Sequence, residues 1–194
     1  MKTLLFINGC VRRKISRTNR IAKELAALLR KAGGFTVDEL VLENENMPIM
    51  TSAALKRKLQ LTEKGDFDDR VFRWAKQFKD ADAILMAAPY WNSCFPATVK
   101  TYIELVGTPG LTYKYGEDGK PIGLCRAKSL YYVTTRGGYY GDQNDPGFAI
   151  ITNLGRLYGI KEIRCISAEG LDIVGSDANA IIDKVIQKLP NQLE

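Results

Sequence analysis

Residues 88–100 read APYWNSCFPATVK and join an apolar run to a helical pattern. The apolar run, residues 83–88, has the continuous hydrophobicity of a strand buried on both faces, and Pro89 ends it. Residues 98–106 have helical spacing, and Pro96 stands near their start, where a missing N–H costs little. A strand, a loop and a helix in this order predict one unit of a parallel α/β sheet.

The loop between that strand and that helix carries large rings: Tyr90, Trp91 and Phe95. Rings at the carboxyl end of a strand are expected to cover something, and ligands of open α/β sheets bind at this edge. The loop therefore indicates a flat ligand. An alternative stays open at this point, in which the loop packs on its own core or on a second subunit.

The same alternation of strands and helices runs along the whole chain. Strands are predicted at residues 3–7, 35–42, 83–88, 129–134 and 162–167, and helices at 18–32, 53–60, 67–79, 98–106, 148–158 and 178–189. Residues 107–127, rich in glycine and tyrosine, receive no element. Strands separated by helices predict a parallel sheet covered on both faces, in a single domain over residues 1–194.

The composition excludes several kinds of chemistry. The chain has 194 residues, no histidine and four widely spaced cysteines without a Cys-x-x-Cys pair. An imidazole base, a Ser–His pair and histidine metal ligands are therefore impossible, and we expect neither a metal site nor a disulfide framework. No apolar run reaches the length of a membrane span and no secretory pattern precedes the first strand, so we expect a cytoplasmic protein away from membranes.

The chain is basic, with a formal net charge of +6 that is concentrated in residues 12–23 and 56–58. Such clusters bind nucleic acid in some proteins, but no nucleic-acid-binding signature accompanies them. We expect no nucleic-acid partner. A basic rim that steers an anionic nucleotide towards its site is the favoured interpretation.

The segment after the first strand is suited to a phosphate. It lacks the Gly-x-Gly-x-x-Gly and Gly-Lys-Ser/Thr signatures, and residues 9–18 read GCVRRKISRT and open directly into a helix. A helix N-terminus flanked by the hydroxyls of Ser16 and Thr18 favours a phosphate monoester. The alternative, that either hydroxyl only caps the helix, stays open for this segment alone.

A third loop follows the fourth strand. Thr135-Arg136-Gly137-Gly138 offers backbone N–H groups without side-chain obstruction, and Tyr139 and Tyr140 come next. The loops after strands one, three and four thus carry phosphate donors, aromatic rings and glycines. Together they predict an FMN cradle at the switch point of a flavodoxin-like sheet with strand order 2-1-3-4-5.

These segments also resemble a known family. Residues 88–100, 113–124, 135–138 and 168–171 are similar to the signatures of the flavodoxin-like NAD(P)H oxidoreductases, a group that contains FMN-dependent azoreductases and quinone reductases. The resemblance implies a non-covalently bound FMN, with FAD a weaker alternative, and a homodimer. The resemblance and the three loops together predict a set of cofactor-binding residues. They are Cys10, Ser16, Arg17, Thr18, Pro89, Tyr90, Trp91, Asn92, Thr135, Arg136, Gly137 and Gly138.

The expected activity is transfer of a hydride from NADH or NADPH to the flavin and then to a quinone or an azo- or nitro-type acceptor, in a ping-pong sequence. No catalytic side chain is expected, because the flavin carries the chemistry. The substrate slot is predicted to include Trp91, Phe95, Tyr139 and Tyr140. Two alternatives remain: an electron carrier without its own nicotinamide reaction, and a scaffold that has lost flavin.

Overall fold

The computed structural model describes residues 2–192. Its strands are β1 Lys2–Asn8, β2 Phe35–Val41, β3 Ala83–Ala87, β4 Tyr113–Tyr115, β5 Pro121–Gly123, β6 Ser129–Thr135 and β7 Glu162–Ala168. The main sheet is parallel, with the order β2-β1-β3-β6-β7. This confirms the predicted order 2-1-3-4-5, since β4 and β5 form a separate hairpin.

Helices cover both faces of the sheet. They are α1 Arg17–Gly33, α2 Ser52–Glu63, α3 Arg73–Asp80, α4 Ala97–Val106, α5 Pro146–Leu157 and α6 Ala178–Lys188. Leu25 of α1 and Ile182 of α6 pack in one core cluster, whereas Phe78 of α3, Ile103 of α4 and Ile151 of α5 pack in the other. The sheet therefore separates two apolar layers, as expected for strands buried on both faces.

One predicted helix is too long, because residues 67–79 do not form a single helix. The Asp69 carboxylate accepts a hydrogen bond from the Val71 N–H at 2.9 Å and caps a 3₁₀ turn, Arg70–Phe72. The α-helix α3 begins only at Arg73. A side chain that caps a turn competes with helix formation, and this competition decides the boundary.

The hairpin of β4 and β5 lies in the segment that the sequence left without an element. Each strand has three residues, and Tyr113 pairs with Gly123 in an antiparallel register. Strands this short show too little alternation of apolar and polar residues to be recognised from sequence.

A buried lysine joins α2 to the end of α4. The Lys58 ammonium donates to the carbonyl oxygens of Glu104, Leu105 and Gly107 at 3.0, 3.1 and 2.8 Å. Burial lowers the pKa of Lys58 to about 8. The lysine satisfies carbonyls that the helix end would leave unpaired, and so fixes the helix that follows the aromatic loop.

The strand register brings the predicted loops to one edge. Asn8 pairs with Ala87, and Ala87 pairs with Val133, so β1, β3 and β6 end side by side. The ladder continues into the loops through Gly9 N–H to Ala87 O (2.8 Å), Tyr90 N–H to Thr135 O (3.1 Å) and Arg136 N–H to Ala168 O (2.8 Å). A Cβ on Gly9 would lie 2.4 Å from Val99 Cγ2, so only glycine permits this close approach of the first loop to α4.

Candidate functional site

A cavity opens at the carboxyl edge of β1, β3, β6 and β7. Its lining residues are Arg12, Ser16, Arg17, Thr18, Pro89, Tyr90, Trp91, Thr135, Arg136, Gly137, Leu171 and Asp172. They come from the loops after these four strands and from the start of α1. The position agrees with the rule that open α/β sheets bind ligands outside their carboxyl ends.

The start of α1 presents an anion-binding helix terminus. The Ser16 hydroxyl accepts the Asn19 N–H at 3.3 Å and caps the helix. Among residues 2–192, the N–H groups of Arg17 and Thr18 have no hydrogen-bond partner. Ser16 therefore caps the helix and still leaves free donors at the positive end of the helix dipole.

Thr18 joins the first loop to the third. Its hydroxyl lies 2.6 Å from the hydroxyl of Thr135, and Thr18 itself is buried. Cys10 is buried as well and does not line the cavity; its thiol approaches the Ala87 carbonyl oxygen at 3.8 Å. Burial raises the pKa of Cys10 to about 11, so the side chain is a neutral thiol near pH 7.

Arg17 crosses to the loop after β7. One nitrogen of its guanidinium donates to the Asp172 carboxylate at 2.7 Å and to the Leu171 carbonyl oxygen at 3.3 Å. Arg17 is thus committed to a partner that lines the same cavity. The sequence offered no signal for this pairing, because 155 positions separate Arg17 from Asp172.

The Arg136 side chain points into the protein, where it is 0% exposed. Its guanidinium donates to Asp145 at 2.6 and 3.0 Å, to Asp142 at 2.8 Å and to Glu169 at 2.7 Å. Burial by itself would raise the pKa of Asp142, but the hydrogen bond and charge of Arg136 hold it below its ordinary value. The guanidinium therefore stabilises the loop after β6 from the protein interior, and only part of Arg136 lines the cavity.

Carboxylates that hold Arg136 also organise the backbone around it. Glu169 accepts the N–H groups of Tyr140 and Gly141 at 3.2 and 2.9 Å, and Asp145 caps α5 through the Phe148 N–H at 3.1 Å. The loop after β6, the loop after β7 and the start of α5 are consequently joined by the carboxylates around the buried Arg136 guanidinium.

The aromatic loop is a tight hairpin. Trp91 and Cys94 exchange two backbone hydrogen bonds of 2.7 and 2.9 Å, and the intervening Asn92 and Ser93 have φ values of 47° and 63°. This turn leaves the Trp91 side chain at the surface, 41% exposed, beside the cavity. Phe95 is only 6% exposed, and its ring packs in the core and anchors the loop there.

Tyrosines form the rim beside this hairpin. The rings of Tyr90 and Tyr140 have centroids 5.0 Å apart, and the Arg136 guanidinium lies 6.0 Å from the centroid of the Tyr90 ring. Tyr139 is 70% exposed. Tyr90 therefore has two neighbours that stabilise its ring, Tyr140 and Arg136, whereas Tyr139 is mostly exposed to solvent.

Gly137 is a point of close approach. A Cβ added there would lie 2.6 Å from the Asp172 carboxylate, which packs directly on the glycine backbone. The Asp172 N–H also donates to the Gly137 carbonyl oxygen at 3.0 Å. Gly137 thus allows the loops after β6 and β7 to meet at the cavity.

The structure brings together most of the nominated residues. Those that line the cavity are Ser16, Arg17, Thr18, Pro89, Tyr90, Trp91, Thr135, Arg136 and Gly137; those that lie outside its lining are Cys10, Asn92, Phe95, Gly138, Tyr139 and Tyr140. Arg12, Leu171 and Asp172 line it without having been nominated. The position of residues 168–171 after a predicted strand was a signal that could have led to Leu171 and Asp172.

Neither a metal-binding cluster nor a membrane-spanning helix is present in the part of the chain that the structure describes. Within residues 2–192, no cluster of three or more His, Cys, Asp or Glu side chains could hold a metal ion. No helix in the same part of the chain is long and apolar enough to cross a membrane.

Comparison with known proteins identifies the family. The flavodoxin-like fold family matches residues 2–193, and the chain belongs to it. A Clostridium acetobutylicum protein named FMN-dependent NADH:quinone oxidoreductase 2 is 34% identical over 163 residues, covering 80% of this chain and 80% of that protein. A Clostridium perfringens protein named FMN-dependent NADH:quinone oxidoreductase is 29% identical over 195 aligned positions, covering 97% and 96%.

Solved structures show the same fold. An azoreductase from Bacillus anthracis superposes with a TM-score of 0.85 at 22% identity, covering 99% of this chain and 98% of that one. A Bacillus anthracis FMN-dependent NADH-azoreductase in complex with FMN has a TM-score of 0.82 at 18% identity, covering 99% and 97%. At these identities the likeness concerns the fold.

Proposed function

We propose that this protein is an FMN-dependent NAD(P)H:acceptor oxidoreductase that reduces quinones, with azo- or nitro-type compounds as further acceptors. The observation that carries the proposal is the convergence in one cavity of a helix N-terminus, an aromatic hairpin and a glycine loop. The names of the relatives in Clostridium, which are NADH:quinone oxidoreductases, support the same reaction and point to NADH as donor.

The residues of the cavity fit FMN. The free N–H groups of Arg17 and Thr18, with the Ser16 hydroxyl beside them, are the donors that a phosphate monoester needs. Tyr90 and Trp91 offer apolar rings to a flat isoalloxazine, and Gly137 lines the cavity without a side chain of its own. We assign the phosphate to the start of α1 and the ring to the hairpin and the glycine loop.

When bound, FMN supplies the redox chemistry, accepting a hydride from the nicotinamide and passing the electrons to the acceptor. The chain's own residues bind and orient. The start of α1 fixes one end of the ligand, and Tyr90 and Trp91 border the slot that donor and acceptor occupy in turn. The hydrogen bonds of Arg136 preserve the shape of that slot. No side chain has to act as an acid or base, which suits a chain without histidine.

An electron carrier of the flavodoxin kind is the less favoured alternative. Such a carrier would bind flavin in the same cavity but would be reduced by a partner protein. The relatives are named as enzymes that use NADH, which favours the oxidoreductase.

We further propose a cytoplasmic homodimer without nucleic-acid partners. An apolar groove between α2, α4 and α5 supports the dimer, and it includes Leu55, Leu59, Ile103, Leu154 and Leu157. Leu55 and Leu59 are 45% and 47% exposed, and an exposed apolar surface of this kind is typical of a subunit interface. Sedimentation at micromolar concentration should show a dimer; a monomer alone would contradict this assignment.

Purified protein tests the main proposal. It should be yellow, release FMN on denaturation, and oxidise NADH or NADPH steadily when a simple quinone is added. Double-reciprocal plots should be parallel, since one slot serves both substrates. Stoichiometric FAD, no flavin after reconstitution, or reduction only through a partner reductase would each contradict it.

A further inference from the structure

Three arginines lie near the phosphate end of the cavity, and the structure engages them differently. Arg13, at a φ of 55°, binds Glu43 and donates to the Asn44 side chain at 2.8 Å, outside the cavity lining. Arg17 is held by Asp172 and the Leu171 carbonyl. Arg12 lines the cavity, and its side chain has no ion pair or hydrogen bond within residues 2–192.

We infer that Arg12 is the residue whose positive charge neutralises the phosphate of the bound flavin, in place of the expected Arg17. The inference rests on the proposed function and names a further binding residue of that site. Backbone N–H groups of Arg17 and Thr18 orient the phosphate, and the Arg12 guanidinium supplies the full charge that these N–H groups lack.

The free-energy cost of bringing each guanidinium to the phosphate distinguishes Arg12 from Arg17. Arg17 would have to break its bonds to Asp172 and Leu171, leaving the carboxylate unpaired beside a phosphate dianion. Arg12 loses only water. Like charges left close together are unfavourable, so the phosphate binds most readily with the Arg17–Asp172 pair intact and Arg12 closing on it.

The turn that carries Arg12 is already shaped. The Arg13 N–H donates to Cys10 O at 2.9 Å and the Ile15 N–H to Arg12 O at 3.2 Å, which closes the segment into a 3₁₀ turn ahead of α1. With Arg13 anchored on the outside by Glu43, the neighbouring Arg12 lines the cavity. Little backbone ordering remains to be done when the ligand binds.

The test compares FMN with riboflavin, which lacks the phosphate. Flavin-free full-length protein is titrated with each ligand and the loss of flavin fluorescence is followed. In Arg12→Gln, FMN affinity should fall about tenfold, as a charge-assisted hydrogen bond predicts, while riboflavin affinity is unchanged. FMN affinity should also depend less strongly on salt concentration in Arg12→Gln than in the wild type.

Arg13→Gln is the matched control. It removes one positive charge from the same segment and should keep FMN affinity within about twofold of wild type. Arg13→Gln also removes the ion pair with Glu43 that anchors the turn. It therefore shows whether a loosened turn by itself weakens FMN binding.

The outcomes separate the inference from the proposed function. Wild-type protein that binds FMN no tighter than riboflavin would overturn the phosphate site itself. A wild-type preference for FMN that survives in Arg12→Gln, or that falls equally in Arg13→Gln, would overturn the role of Arg12 alone.

Discussion

Arg136 and Arg17 were both nominated from sequence as flavin-binding residues, and both pair with aspartates in the structure, but in opposite surroundings. The Arg136 guanidinium is buried among Asp142, Asp145 and Glu169. The Arg17 guanidinium is part-exposed and meets the still more exposed Asp172. One pair belongs to the core and the other to the surface of the same cavity.

This difference teaches that the two ends of the cavity are stabilised differently. The ring end depends on the Arg136–Asp145 pair, whose side chains are both 0% exposed, so its shape is coupled to the stability of the fold. The ion pair at the phosphate end, Arg17–Asp172, is screened by solvent, so it can be lost without much cost to folding. Substitutions at the two ends should therefore separate stability from ligand affinity.

The largest effect is expected at the buried end. Arg136→Met should destabilise the protein by about 3–5 kcal/mol, because it leaves the buried Asp145 carboxylate without its partner. Arg17→Met, at the exposed pair, should cost no more than about 1 kcal/mol. Urea unfolding followed by circular dichroism measures both. Equal losses in the two variants would refute the distinction between the two ends.

A medium effect, on FMN affinity, is expected at the phosphate end. Replacing both Ser16 and Thr18 by alanine should weaken FMN binding by about 10- to 100-fold, since their hydroxyls cap the helix and join the loops around the phosphate. Thr101→Ala, which removes a hydroxyl on the exposed side of α4, is the control. Fluorescence titration checks the result, and unchanged affinity in the double variant would remove both residues from the site.

The smallest effect is expected at Trp91, which lies at the ring end but outside the buried cluster. Trp91→Ala should change the KM or the rate for a quinone by about three- to tenfold, because it removes the binding free energy of one aromatic contact. Its flavin content and stability should stay near those of wild type.

Trp91→Phe, which keeps a ring, should recover most of that change. Steady-state kinetics with a quinone would show the difference. The pH profile of every variant should lack an imidazole-like pKa near neutrality, because the chain has no histidine. Wild-type kinetics in Trp91→Ala would take the tryptophan out of the slot.

Much of the fold could be predicted because its signals are local. The apolar run at 83–88 and the periodic helix at 18–32 appear as β3 and α1, with boundaries shifted by a residue or so. The predicted helix 67–79 was wrong at its start because the Asp69 side chain competes with the backbone there. No element was predicted for the hairpin at 113–123, because its strands have only three residues each.

The sequence by itself determined the order of strands and helices, the loops that would meet, and the absence of imidazole chemistry. These follow from local periodicity, from the rule that parallel strands end at one edge, and from composition. Only the tertiary structure decided which arginine faces the core, which faces Asp172 and which lines the cavity unpaired. Charge pairing depends on distances between segments far apart in the chain, and neither spacing nor residue type encodes those distances.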